Sequence, residues 1–217
     1  MLKELFISEG NPKKLGRLWN FSIMPLETCP GRSEWCSKYC YANQNGLPFY
    51  RWERNTLATR TPVFVDLMIR ILQAIDRREI DEEGKRPPKL AKTLRLHTSG
   101  DFFSHEYVRA WQTVVEAMPD WKFYGYTRSW RTELLPALES LKACSNMILW
   151  ASTDETTGSP PLGWREAGVE KCHNGNAVLC SNMINPSIKC SNCTSFGPWC
   201  SSEQTNNIYF HKHGKVK

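Results

Sequence analysis

"TLRLHTSGDFFSHEYVRAWQTVVEAMPDWKFYGYTRS", residues 93–129, decides the fold. TLRL is a short apolar run, and HTSGD after it is turn chemistry. In HEYVRAWQTVVEAM the apolar residues recur at helical spacing, with Ser104 placed to cap the first turn. KFYGYTRS returns to an aromatic-rich strand and a second polar turn. Strand, helix, strand in this order is a βαβ unit. Its crossover is right-handed, so the two strands lie parallel.

The same texture runs outward in both directions. LWNFSIMP (18–25) reads as the first parallel strand and TPVFVDLMIRILQAIDRRE (61–79) as a helix. DEEGKRPPKL (81–90) reads as a loop. TELLPALESLKAC (132–144) reads as a helix with Pro136 in its first turns, where proline is tolerated. MILWASTDE (147–155) is strand and turn, and NAVLC (176–180) a last short strand. Residues 156–171, with TGSPPLGW, read as a long loop. The fold class expected is α/β: a partial, open βα barrel of about five or six mainly parallel strands with a cysteine-rich C-terminal extension. The division expected is a core over 1–156 and a metal-binding extension over 157–217 packed on it.

Composition sets the class. The chain has 217 residues, 41% hydrophobic and 23% charged, as in an ordinary globular protein, and a net charge of +6. No apolar run is long enough to span a bilayer, and MLKELFISEGNPKK does not read as a secretory signal. Nine cysteines without an export signal point to a reducing compartment, where thiols serve as metal ligands rather than bridges.

In a parallel α/β sheet, function collects at the carboxyl ends of the strands. After the first strand comes CPGRSEWCSKYCYA (29–42), with Cys29, Cys36 and Cys40. After the next three come Thr98, Ser99, Gly100 and Asp101; Tyr126, Thr127, Arg128 and Ser129; and Ser152, Thr153, Asp154 and Glu155. Such residues are also ordinary helix caps, but here they recur at consecutive strand ends. Gly100 allows close backbone approach, and Asp101 or Asp154 can accept from hydroxyls or an amine.

Thiolates suit iron–sulfur clusters, zinc and copper(I). Three cysteines satisfy three irons of a cubane cluster and leave the fourth open. Structural zinc would need a distant fourth ligand such as His97, Cys144 or Cys172, whereas catalytic zinc keeps an open position. Tyr39 and Tyr41 are core aromatics or flat surfaces for a purine. A second group, Cys180, Cys190, Cys193 and Cys200, contains one CxxC and fits a second iron–sulfur cluster, with zinc the alternative. Cys172 could replace one ligand there, and Cys144 reads as a buried small apolar residue. His211 and His213 sit at strand spacing in the tail, and HKHGKVK (211–217) carries three lysines that could touch phosphate.

GNPKKLGRLWNFSIMPLETCPGRSEWCSKYCYA, with LRLHTSGDFFSHEYVRAWQ and FYGYTRS, resembles the phage-associated gene product 88 family, over residues 10–214 or so. More loosely, the layout is similar to radical S-adenosylmethionine enzymes, which carry a three-cysteine cluster loop after the first strand of a partial barrel. That resemblance implies Cys29, Cys36 and Cys40 as ligands of a [4Fe-4S] cluster. It also implies Tyr39, Ser99, Gly100 and Asp101 as contacts to S-adenosylmethionine, to which their strand-end placement adds Thr127, Ser152 and Asp154, and the four later cysteines as an auxiliary cluster. Spacings of six and then three residues depart from the three and two usual in that superfamily. The localisation expected is the cytoplasm of a bacterial cell infected by phage or carrying a plasmid or prophage. A non-catalytic, metal-stabilised protein that binds nucleic acid or a host protein is the alternative.

Overall fold

The computed structural model describes residues 5–10, 15–43, 47–81, 84–195, 197–203 and 206–212. His213, Lys215 and Lys217 of the basic tail lie outside them.

The expected βαβ unit is present: β3 (Thr93–Leu96), α4 (His105–Ala117) and β4 (Lys122–Thr127), with the two strands parallel. Ser104 caps α4, its hydroxyl accepting from the Tyr107 N–H at 3.2 Å. α5 (Leu135–Lys142), with proline in its first turn, leads to β5 (Met147–Thr153), parallel to β4. Upstream, β2 (Trp19–Phe21) pairs parallel with β3, and α3 (Phe64–Arg77) lies in the crossover between them.

Six further elements were not read from the sequence. β1 (Ile7–Ser8) adds an antiparallel edge to β2. α1 (Glu34–Lys38) lies inside the first cysteine loop, and α2 (Phe49–Thr59) precedes α3. β6 (Arg165–Val169) occupies what had read as a long loop, and β8 (Asn207–Phe210) follows β7 (Ala177–Leu179). A one-turn helix, α6 (Ser181–Ile184), lies just after Cys180. Among the described residues the sheet therefore has eight strands, not five or six, in the order β1-β2-β3-β4-β5-β6-β8-β7. It is mixed α/β, open and parallel apart from β1. β6 escaped because REAGV is poor in β-formers and carries Glu166 at a fully buried position. That carboxylate is satisfied locally by the Thr153 hydroxyl (2.6 Å) and by the N–H groups of His173 and Asn174.

Alternation along the strands separates two faces. Phe21, Leu94, Leu96, Phe123, Leu149 and Ala151 join Phe64, Met68, Val108, Trp111 and Leu138 of the helices in the main core. On the other face Trp150, Ala167 and Ile208 form a second, smaller cluster, covered by Cys180, Trp199, Cys200 and Phe210. The cysteine-rich segment thus lies on the sheet face opposite the helices. No helix among the described residues is long and apolar enough to cross a membrane.

Candidate functional site

Cys29, Cys36 and Cys40 follow β2 at its carboxyl end. The chain enters this loop through Leu26, an aliphatic residue held at φ +65°, a conformation that stores about 1 kcal/mol or more. The Leu26 carbonyl accepts from Cys29 N–H (3.1 Å) and from the Arg32 guanidinium (2.8 Å). Cys36 lies on α1, whose cap is Ser33: the Ser33 hydroxyl accepts from Cys36 N–H at 2.9 Å. Cys29 and Cys40 flank the helix.

Three strand ends grip this loop. Gly31 packs against the end of β4, where an added Cβ would lie 2.0 Å from the Arg128 carbonyl oxygen. The Arg131 guanidinium donates to the Gly31 carbonyl at 3.2 Å. The Arg128 guanidinium, almost wholly buried, forms an ion pair with Asp154 from the end of β5 and donates to Ser33 at 2.9 Å. Ser33 in turn donates to Asp154 at 2.6 Å. Asp154 also accepts from Thr156 N–H (2.9 Å) and its hydroxyl (2.6 Å). Burial pushes the Asp154 carboxyl up, but Ser33, Thr156 and Arg128 overcome this and leave it below the usual carboxylate range. Asp101, after β3, accepts from Arg128 N–H (2.8 Å) and Phe102 N–H (2.7 Å), and its burial raises its pKa.

The three thiols interact with one another and with this frame. Burial, then Asp101, pushes Cys29 up to about 12, with Cys36 and Cys40 adding to the rise. Cys36 is raised by burial, while Arg128 opposes the rise. Among the described residues no three His, Cys, Asp or Glu side chains already converge as a metal-holding group.

The other expected residues fall as follows. Ser99 is buried and its hydroxyl has no hydrogen-bond partner. Gly100, at φ +79°, lies against β2 and the loop, where a Cβ would meet Ile23 at 2.3 Å and Thr28 at 2.7 Å. Thr127 is fully buried and accepts from Ser129 N–H at 3.0 Å, a turn role. Ser152 accepts from Arg128 Nε at 3.3 Å. Tyr39 ends α1 and packs its ring on Trp35 (5.0 Å), with the Lys212 ammonium 3.6 Å from the ring centroid.

His97 does not approach the loop. It is buried on the helix side, 2.8 Å from the Tyr107 hydroxyl, and desolvation lowers its pKa to about 3. Cys144 is only partly buried at the end of α5. The expectation of a buried residue there is corrected to a half-buried one that still packs on the core, because the helix end leaves it beside Glu116.

Across the sheet, Cys180 and Cys200 pack against the second cluster, and Cys190 and Cys193 lie between them in the same segment. Burial raises Cys180, which feels Cys190 and Cys193. Burial takes Cys200 to about 12, with Cys190 and Cys180 adding to the rise. Cys172 stands apart, its thiol 3.2 Å from the Ile208 carbonyl oxygen. Residues that the sequence did not single out are Ser33, Glu166 and Arg95. Arg95 had a legible signal, a charge at an interior position of an apolar strand.

The fold and site define a class: an open, mainly parallel α/β sheet with thiols at a strand end and a second thiol group on one face. The profile of the Gene product 88 family matches residues 3–179, and the chain belongs to that family. This span includes Cys29, Cys36 and Cys40 and ends just before Cys180. It is shorter at the C-terminus than the resemblance had suggested. The Gene 88 protein of Mycobacterium phage L5 is 32% identical over 112 residues, 46% of this chain and 43% of that protein. The Gene 88 protein of Mycobacterium phage D29 is 30% identical over 138 residues, 58% and 52% of the two chains. The chain thus spans about half the length of the curated relatives it matches. No solved structure matches.

Proposed function

We propose that this protein is an iron–sulfur protein on a partial, open βα barrel, in which Cys29, Cys36 and Cys40 hold a [4Fe-4S] cluster with one iron left open. One observation carries the reading: the loop that bears the three cysteines at the end of β2 is tied through Ser33 and Gly31 to Arg128 and Asp154, and through Arg128 to Asp101, from the next three strand ends. The barrel component is supported by the sequential order from β2 to β6. The donor set fits the group, because thiolates are the ligands such clusters take. When bound, the cluster supplies one-electron chemistry and an exchangeable position at its open iron.

The chain's own residues set the environment. Ser33, Arg128 and Asp154 fix the loop against β4 and β5, and the buried guanidinium offsets negative charge on the thiolates. S-adenosylmethionine is the proposed exchangeable ligand, with Ser99, Gly100 and Ser152 as contacts. The unpartnered Ser99 hydroxyl favours this. Asp101 and Asp154 do not fit as direct contacts, because their oxygens already serve the protein; they act on the loop instead. Tyr39 and Thr127 likewise have other partners. Cys180, Cys190, Cys193 and Cys200 are the proposed ligands of a second cluster, with zinc the alternative there.

Anaerobic purification followed by iron, acid-labile sulfide and zinc determination tests the reading. The expected result is a brown protein carrying about four iron and four sulfide for each cluster. Replacing Cys29, Cys36 and Cys40 by serine should remove one such set. A colourless protein with stoichiometric zinc, or iron unaffected by those substitutions, would refute it.

A further inference from the structure

The sheet face opposite the helices holds a cation that, among the described residues, no carboxylate pairs with. Arg95 is the third residue of β3, between Leu94 and Leu96, which face the helices; its side chain therefore points the other way. It pairs in register with Tyr124, and its guanidinium lies 5.2 Å from the Tyr126 ring centroid. Its Nε is sealed from solvent with no hydrogen-bond partner. Among the described residues it forms no ion pair. The residue as a whole is half-buried, and a cation drawn out of water to that extent carries a desolvation cost that an anion facing it would offset.

What covers it is the cysteine-rich segment. Trp199 packs on Trp150 (5.7 Å), Phe210 on Tyr126 (6.0 Å), and Trp150 Nε1 donates to the Cys200 carbonyl at 2.9 Å. The ionisable groups near Arg95 are Tyr41, Tyr124, Tyr126 and the thiols, with Cys190 and Cys200 both within reach of its field. A second cation, Arg165, lies 4.0 Å over Trp150 on the same side. Phenols are neutral at pH 7. Of these groups, the thiols are the ones that a metal converts to anions.

We propose that Arg95 is the counter-cation of the four-cysteine group, a positioning residue that holds Cys180, Cys190, Cys193 and Cys200 as thiolates around a metal. The proposal rests on the reading of that group as a metal site. Each thiol releases its proton to solvent on binding, and four thiolates around a dication leave a net charge of about −2. Arg95 meets that charge from the sheet.

The test uses the full chain, stripped of metal and titrated anaerobically with Co²⁺ alone, read by thiolate-to-metal charge-transfer absorption. Cys190→Ser with Cys193→Ser assigns the signal to this group. Arg95→Met and Arg95→Gln should each weaken Co²⁺ binding about tenfold, while Arg95→Lys should stay within about twofold. Without metal the sign should reverse: Arg95→Met should melt no lower than the parent, because a half-buried, unmatched cation has been removed. Unchanged Co²⁺ affinity in both neutral variants would overturn the proposal and leave the metal reading intact. So would metal-free neutral variants that melt well below the parent. A parent chain whose Co²⁺ signal is absent, or survives the Cys190/Cys193 substitutions, would overturn both.

Discussion

Gly31→Ala puts a number on how tightly the first cysteine loop is seated. The new Cβ would lie 2.0 Å from the Arg128 oxygen, 2.4 Å from its carbonyl carbon and 2.8 Å from the Ser129 nitrogen. All three are backbone atoms, so no side chain can rotate away, and the loop must lift by about 1 Å. Overpacking costs about 1–3 kcal/mol, and a backbone neighbour places this case near the top. The loss of chain entropy in the unfolded state returns about 0.5 kcal/mol. The net is about 2.5 kcal/mol, or roughly 5–10 °C in melting temperature for a chain of this size. Gly158→Ala is the control. Gly158 has φ +75° but nothing within 4 Å of an added Cβ. Left-handed strain of about 1 kcal/mol, less the same entropy gain, leaves a shift of about 2 °C. Urea and thermal unfolding of the two variants and the parent would measure the difference. If Gly31→Ala costs no more than Gly158→Ala, the loop is not seated on β4 as described.

Three further outcomes are expected. Asp154→Asn leaves the buried Arg128 without its charge partner and should cost about 3 kcal/mol in urea unfolding, with Arg128→Met in the same chain recovering part of it. His97 is neutral when folded, with a pKa of about 3, and takes a proton near 6.5 when unfolded. The unfolded state therefore binds more protons between those values. Stability should fall by about 1.4 kcal/mol per unit as pH drops from 6 to 4, and this component should vanish in His97→Gln. Ser104→Ala removes the cap of α4 and should cost about 1 kcal/mol, with Ser104→Asp retaining most of the parent's stability.

The sequence alone carried the βαβ core, because its information is local: apolar periodicity, a serine cap and a proline in the first turn of α5 are all visible within a dozen residues. It also carried the loop of Cys29, Cys36 and Cys40 to the end of the first parallel strand. Tertiary structure decided what depends on partners far along the chain. β6 is a strand because β5 and β8 flank it and Thr153 satisfies Glu166, none of which REAGV displays. Asp101 and Asp154 look alike in sequence as strand-end acceptors. Only the fold commits one to the Arg128 backbone and the other to its guanidinium and Ser33, 121 residues away in sequence. Arg95 reads as a solitary charge in a strand until the C-terminal cysteines fold across it. A charge's role is set by what lies within a few ångströms in space, and periodicity reports only which side of its own element a residue occupies.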